Sequence, residues 1–308
     1  MTKLLNKKFS NKYITKTGDE RASVVLKNLE TLWFNTGTLC NLMCEDCYIE
    51  SSPINDNLLY LTHDDVVKYL NELYKNKINC RSIGITGGEP FMNKDIINII
   101  STCLSKNYEV LILTNAMQPM QNKIKLLINF KNSNKLKFRI SLDHYSKEKH
   151  ENIRGENSWD KAIKGIKWLN ENKFNISIAS RTLSENENEL RNGFQLLFNK
   201  LKLQINAFNY NDLVLFPEMD NSLNTPEITS DCWKILKVDP NNLMCANSRM
   251  IVKRKEDEKT HVVACTLLPF IKEFDYGFNL KNANKKTYLN HPHCSKFCVL
   301  GGATCKTN

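Results

Sequence analysis

Short apolar, β-branched runs alternate along the chain with longer stretches in which apolar positions recur every three or four residues. Residues 31–35, 82–86, 109–113, 137–142, 175–179 and 204–208 carry the first pattern and are expected to form strands. Residues 62–74, 94–104, 121–130, 158–170 and 187–200 carry the second and are expected to form helices. Strand-helix alternation at this spacing predicts a parallel sheet with crossover helices, because parallel neighbours need a long connection that a helix supplies. The expected fold is therefore α/β, a partial (β/α)6 TIM-type barrel whose ligands sit at the carboxyl ends of the strands.

The pattern breaks after about residue 210. Residues 211–233 hold Pro217, Pro226 and several polar and acidic positions, which reads as a long loop crossing the barrel mouth. Beyond it, two short β-like runs, 250–254 and 261–264, flank the polar stretch 255–259 and predict a β-hairpin inside a small cysteine-rich extension. The expected organisation is an N-terminal extension (1–29), a core domain (30–210), a connecting loop (211–239) and a C-terminal domain (240–308).

Composition narrows the function classes. A hydrophobic fraction of 41% with 25% charged residues suits an ordinary globular protein. The basic, polar N-terminus has no apolar signal region, and no apolar run reaches spanning length, so no membrane partner is expected and the cytoplasm is the expected location. The formal charge of +10 comes mostly from scattered Lys, which favours a solvated surface over a nucleic-acid stripe. In such a compartment, eleven cysteines read as thiols, catalysts or metal ligands and not as a disulfide framework.

The cysteines are clustered. Cys40, Cys44 and Cys47 form a C-x3-C-x2-C segment just after the first expected strand. Three local thiolates leave one iron of a cubane open to an outside ligand, whereas structural zinc wants four closed ligands and no fourth Cys or His lies nearby. Cys245 and Cys265 bracket the expected hairpin, and Cys294, Cys298 and Cys305 follow. Four of these five, with His293 as a substitute, suit one further cluster, and zinc remains an alternative there. Cys80, Cys103 and Cys232 read as core or surface thiols.

The first segment resembles the cluster-binding loop of the radical SAM superfamily. That resemblance implies a [4Fe-4S] cluster on Cys40, Cys44 and Cys47 whose open iron takes the amino and carboxylate groups of S-adenosylmethionine. An electron from the reduced cluster then splits the cofactor to a 5′-deoxyadenosyl radical that abstracts a substrate hydrogen. Thr86-Gly87-Gly88-Glu89-Pro90 is similar to the family's GGE motif, with Glu89 facing the methionine amine. Gly87, Gly88 and Asn115, which follows the third strand, are expected to contact the cofactor. Ser141-Leu142-Asp143-His144, followed by His150 and Arg154-Gly155, is similar to the family's fourth-strand region. Ser141 is expected at the ribose or carboxylate and Arg181 at the carboxylate. Where the family usually carries an aromatic before the third cysteine, this chain has Asp46, with Tyr48 just after.

The C-terminal cysteines resemble SPASM and twitch extensions, which implies a second [4Fe-4S] cluster. The expected function is a radical SAM enzyme acting on a peptide or a small molecule and fed by a reductant such as a flavodoxin or ferredoxin. The first 30 residues are too few for a peptide-recognition domain, so both substrate classes stay open. Glu218 and Asp220 are acidic candidates for a substrate amine. The competing class is a non-catalytic iron-sulfur or zinc protein, an electron carrier or nucleic-acid-associated factor, which would need no GGE or Ser-Leu-Asp segment.

Overall fold

The computed structural model describes residues 7–44, 46–183, 185–217 and 225–302. Its strands are β1 (Ser23–Val24), β2 (Thr31–Asn35), β3 (Ser82–Thr86), β4 (Glu109–Thr114), β5 (Leu136–Ser141), β6 (Asn175–Arg181), β7 (Leu213–Phe216), β8 (Ser248–Lys253), β9 (Thr260–Val263) and β10 (Thr287–Tyr288). Eight of them form one sheet in the order β7-β6-β5-β4-β3-β2-β8-β9, and β2 to β7 run parallel. These six strands are the expected partial barrel, curved but not closed. Every residue of β2 and β3 is buried, as befits parallel strands covered on both faces.

The helices are α1 (His63–Lys75), α2 (Ile96–Ser105), α3 (Gln118–Gln121), α4 (Ile124–Leu127), α5 (Lys147–Arg154), α6 (Ser158–Glu171), α7 (Glu187–Leu201), α8 (Cys232–Leu236) and α9 (Met244–Asn247). Helix α1 starts where Thr62 accepts from the Asp65 N–H while Asp65 reaches back to the Thr62 N–H, a reciprocal cap. It then buries Val66, Tyr69, Leu70 and Leu73, one stripe at helical spacing.

Three expectations are corrected. The strand expected at 204–208 does not form; two Asx turns, Asn206 Oδ1 accepting from the Phe208 N–H at 2.8 Å and Asn209 Oδ1 from the Asn211 N–H at 2.9 Å, fold that segment on itself. The sixth barrel strand is β7 instead, inside the stretch read as loop, so the barrel runs past residue 210. The helix expected at 121–130 is broken into α3, α4 and the 3₁₀ turn Ile128–Phe130.

The hairpin forms as β8 and β9, paired antiparallel, and it is not a free-standing appendage. Strand β8 lies parallel to β2, with Thr31 opposite Ser248 and Phe34 opposite Ile251, so the C-terminal region extends the main sheet on the edge that carries the first cysteines. Strand β1 pairs antiparallel with β10. Nearby, the buried Arg21 donates to the Asn11, Ile14 and Leu289 carbonyls and to Glu227, tying the N-terminal extension to the same region. Among the described residues, no helix is long and apolar enough to cross a membrane.

Candidate active site

The carboxyl ends of β2 to β7 open onto a cavity of about 170 Å³. Its wall carries Cys40, Cys44 and Cys47 from one side, Gly87, Gly88 and Asn115 from the middle, and Ser141, Asp143, Arg154 and Arg181 from the other. The structure thus brings together every cofactor residue expected from sequence except Glu89, which stands just behind this wall.

The cysteine loop is shaped by its backbone. Leu39 bridges to Ser52, the Cys40 N–H donates to the Ser52 carbonyl, and the Glu50 N–H donates to the Cys47 carbonyl. The Cys40 thiol accepts from the Leu42 N–H at 3.4 Å. Burial pushes Cys40 up to about 12 and raises Cys44 as well. Both therefore hold their protons at neutral pH until a metal replaces them. Among the described residues, no three His, Cys, Asp or Glu side chains gather tightly enough for a single metal ion. Three thiols of one short loop that line one cavity are a donor set a cubane can use, each on a different iron.

The Gly-Gly turn is pressed against that loop. Gly87 has φ +141°, and a Cβ on Gly88 would sit 2.3 Å from the Leu39 carbonyl oxygen, beside Cys40. Only glycine allows this approach. Glu89 is 1% exposed and works as a clamp: its carboxylate accepts from the Phe91 N–H at 3.1 Å, the Thr114 hydroxyl at 2.8 Å and the Asn115 N–H at 2.8 Å. Three bonds fill three of its roughly four acceptor positions and leave one. Burial pushes its carboxyl up to about 7 against the pull of those bonds. Asn115, held by this clamp, donates to Asn41 Oδ1 in the cysteine loop at 2.9 Å.

Opposite the cysteines lies a charged group that sequence reading only half resolves. Arg154, at the end of α5, grips Asp143 with two hydrogen bonds, Nε to Oδ2 at 2.6 Å and Nη2 to Oδ1 at 3.2 Å. Arg181 stands 3.7 Å from the same carboxylate. Burial pushes Asp143 up, but the two guanidiniums outweigh it and hold the carboxyl below its usual range. The Arg154-Gly155 pair is visible in sequence; that its guanidinium lines the cavity is not. His144 turns away, its Nε2 3.4 Å from Glu185. Asp46, at φ +54°, and Tyr48 both line the cavity.

His150 supports Asp143 from behind, its Nδ1 accepting from the Asp143 N–H at 3.2 Å. Burial, then the Arg154 charge, lower it to about 4, with Asp143 pulling the other way. The unfolded chain therefore binds the proton first. Stability contributed by neutral His150 is present above about pH 6.5 and is lost as pH falls toward 4, by up to about 3 kcal/mol. Glu89 runs in the opposite sense, costing stability as pH rises from its unfolded value to about 7. Urea unfolding of wild type and His150→Gln between pH 7 and 4.5 should show a flatter acid limb in the variant; parallel curves would refute this role.

The C-terminal cysteines form a second group. Burial raises Cys294 well above its ordinary value, and the neighbouring Cys265 and Cys245 thiolates raise it further, which places the three within electrostatic reach of one another. Cys298 lies on the same π-helical segment as Cys294, Cys294–Leu300, and Cys305 lies outside the described residues, as do Glu218 and Asp220. His293 lines a hollow on the outer side of the first cysteine loop, with Cys44, Cys47 and Ser51. None of the described cysteines forms a disulfide.

Comparison with known proteins agrees with this geometry. The Radical SAM superfamily profile matches residues 34–197. Over 174 residues the chain is 30% identical to the antilisterial bacteriocin subtilosin biosynthesis protein AlbA of Bacillus subtilis (strain 168), covering 56% of this chain and 37% of that one. Over 142 residues it is 30% identical to a probable GTP 3′,8-cyclase of Saccharolobus solfataricus, covering 45% of this chain and 43% of that one. The matches thus span about two fifths of these relatives. Streptococcus suis SuiB bound to S-adenosylmethionine shares the fold at a TM-score of 0.58 and 16% identity, over 82% of this chain and 64% of that one. So does anSMEcpe with bound AdoMet, at a TM-score of 0.58 and 16% identity, over 86% of this chain and 82% of that one. The profile match covers more than half of the chain and contains the three cysteines, the Gly-Gly-Glu clamp and the fourth-strand aspartate of the cavity wall; the chain is an enzyme of the Radical SAM superfamily.

Proposed function

We propose that this enzyme reductively cleaves S-adenosylmethionine at a [4Fe-4S] cluster held by Cys40, Cys44 and Cys47, and uses the 5′-deoxyadenosyl radical to abstract hydrogen from a peptide or small-molecule substrate. Superfamily membership implies the cluster and the cofactor. The supporting observation is that three cysteines, a glycine turn and a bidentate Asp-Arg pair share one cavity at the strand ends. When bound, the cluster supplies one electron, taken from a reductant of the flavodoxin or ferredoxin class, for carbon-sulfur cleavage.

The chain's own groups set the pose. The Gly87–Gly88 turn, held in place by the Glu89 carboxylate behind it, receives the methionine amine on its backbone. Arg154 and Arg181 meet the methionine carboxylate, a planar match for guanidinium. Ser141 and Asn115 offer hydroxyl and amide contacts to the ribose, and Tyr48 an aromatic surface to the adenine. A peptide substrate draws support from AlbA, a biosynthesis protein for a bacteriocin, and from the fold shared with SuiB, which has been solved with its precursor peptide SuiA. Cysteines that form no disulfide among the described residues suit work in the reducing cytoplasm.

The test is anaerobic reconstitution with iron and sulfide, followed by dithionite and S-adenosylmethionine. 5′-Deoxyadenosine should form; its absence with an intact cluster would leave the competing reading of a non-catalytic iron-sulfur protein.

We further propose that Cys245, Cys265, Cys294 and either Cys298 or Cys305 hold a second [4Fe-4S] cluster in a domain spanning about 240–308. The reconstituted chain should carry about eight irons. Cys245→Ala combined with Cys265→Ala should halve the iron and leave cofactor cleavage in place. About four irons plus one zinc in wild type would assign this site to zinc instead.

A further inference from the structure

Ser51 sits where the cysteine loop returns to the sheet, one residue before the bridge between Leu39 and Ser52. Glu50, at φ +51°, turns the chain; its carbonyl accepts from Asn55 Nδ2 at 2.7 Å, and the Ser52 carbonyl accepts from the Cys40 N–H at 3.0 Å. Bonds on both neighbours thus fix the backbone at Ser51. The two serines then differ in how their hydroxyls are used. Ser52 Oγ accepts from the Ile54 and Asn55 N–H groups at 3.4 and 3.1 Å, which engages it in a local turn. Ser51 is 5% exposed, and its Oγ has no hydrogen-bond partner among the described residues. A buried hydroxyl in that state costs stability, and functional sites are where such groups persist.

Its surroundings define what it can meet. Ser51 lines both the cavity at the strand ends and the hollow on the outer side of the loop, and it shares that double position with Cys44, Asp46, Cys47 and Tyr48. These residues form the partition between the two spaces. Asp46 is exposed and takes no hydrogen bond from Ser51. The groups on the partition that change when a metal binds are the sulfurs of Cys44 and Cys47. A thiol sulfur is a weak acceptor, but once metal has displaced the proton it carries negative charge and accepts well. The Leu42 N–H already meets the Cys40 sulfur at 3.4 Å, so contact from donor to sulfur is part of how this loop is built.

We infer that the Ser51 hydroxyl donates a hydrogen bond to the sulfur face of the cluster at Cys44 and Cys47, and so raises the cluster's reduction potential. Hydrogen bonds to the sulfurs are one of the levers that set such potentials. One electron enters from a reductant of the flavodoxin or ferredoxin class, no bond breaks, and Ser51 keeps its proton. The added negative charge strengthens the hydrogen bond, which favours the reduced state. Burial of the hydroxyl enlarges the effect. Ser51 is in this sense a tuning and positioning residue, and the inference rests on the cluster reading of Cys40, Cys44 and Cys47.

The test is an anaerobic redox titration of the reconstituted chain by electron paramagnetic resonance. The signal followed is the one that changes when S-adenosylmethionine is added, which assigns it to the cluster with the open iron. Ser51→Ala should lower the reduction equilibrium about ten-fold, a downward shift of about 59 mV for one electron. Its iron content and its affinity for S-adenosylmethionine should match wild type. Ser51→Thr keeps the hydroxyl and should stay close to wild type. Should Ser51→Ala fail to fold, Ser51→Gly removes the same hydroxyl and decides in its place. An unchanged potential would mean that water in the outer hollow satisfies the hydroxyl. Weakened cofactor binding at unchanged potential would give the hydroxyl to S-adenosylmethionine, and a Ser51→Thr shift as large as that of Ser51→Ala would reduce the effect to packing. Each of these results would overturn the inference. Wild type with no responsive cluster and no 5′-deoxyadenosine in the same preparation would instead sink the parent reading, and the inference with it.

Discussion

Cys40→Ala, Cys44→Ala and Cys47→Ala should each abolish 5′-deoxyadenosine formation, down to the background of the uncatalysed reaction. Two thiolates cannot hold four irons in a cavity this open, so each variant should also lose about four irons per chain. The control is Cys103→Ala. Cys103 is fully buried in α2 among Ile96, Ile99 and Ile100 and reaches no part of the cavity. Its loss should cost about 1 kcal/mol of stability through a small void and leave iron and cleavage intact. Iron retained in any of the three loop variants would mean that the cluster is held elsewhere.

Arg154→Met should destabilise the protein by about 3 kcal/mol at neutral pH while weakening S-adenosylmethionine binding. The cause is the partner left behind. Asp143 would keep only Arg181, at 3.7 Å, against the burial of a carboxylate whose side chain is 5% exposed. In the wild type, Asp143 has a depressed pKa, so its contribution is present above the unfolded value near 3.9 and is lost as pH falls through the folded one. In the variant the carboxyl rises above its ordinary value and costs stability as pH climbs. The difference between the two proteins should therefore be largest at pH 7 and shrink toward pH 4. Adding Asp143→Asn should recover part of the loss, a coupling that a double-mutant cycle measures directly. Arg154→Lys should restore the charge but not the two-pronged contact. A pH-independent difference would show that Arg154 acts through packing alone.

The five strands read correctly in sequence carry apolar, β-branched residues either in a run, as in Glu109–Thr114, or at alternate positions, as in Leu136–Ser141 and Asn175–Arg181, and helices follow them at regular spacing. The sixth was misplaced by a local competition. Gln204 to Phe208 alternates like a strand, yet Asn206 and Asn209 offer the backbone turn bonds that cost nothing in pairing, and the apolar run at Leu213–Phe216 wins the edge. The cysteine loop at the cavity stood out in sequence because three cysteines at such close spacing are rare unless they bind a metal. The direction of Glu89 was not, since a carboxylate in a Gly-Gly-Glu turn can face the cavity or the neighbouring strand, and only the positions of Thr114 and Asn115 decide. Long-range pairing was the other blind spot, because nothing near β8 announces that its neighbour is β2.

That pairing has a consequence for how the protein is made. Phe34 and Ile251 are opposed in the finished sheet but lie 217 residues apart in the chain. At ribosomal rates this separation lasts about ten to forty seconds. Throughout that interval the side of β2 that will meet β8 lacks its partner, and the strand carries Leu32, Trp33 and Phe34, the kind of edge on which nascent chains stick to one another. The loop holding Cys40 grows directly from that edge. Iron delivered early would meet thiols on a half-built sheet, so productive maturation should favour late delivery, after β8 has docked. Slow synthesis and premature iron should therefore be expected to lower the yield of active protein through aggregation, with no defect in the finished cavity.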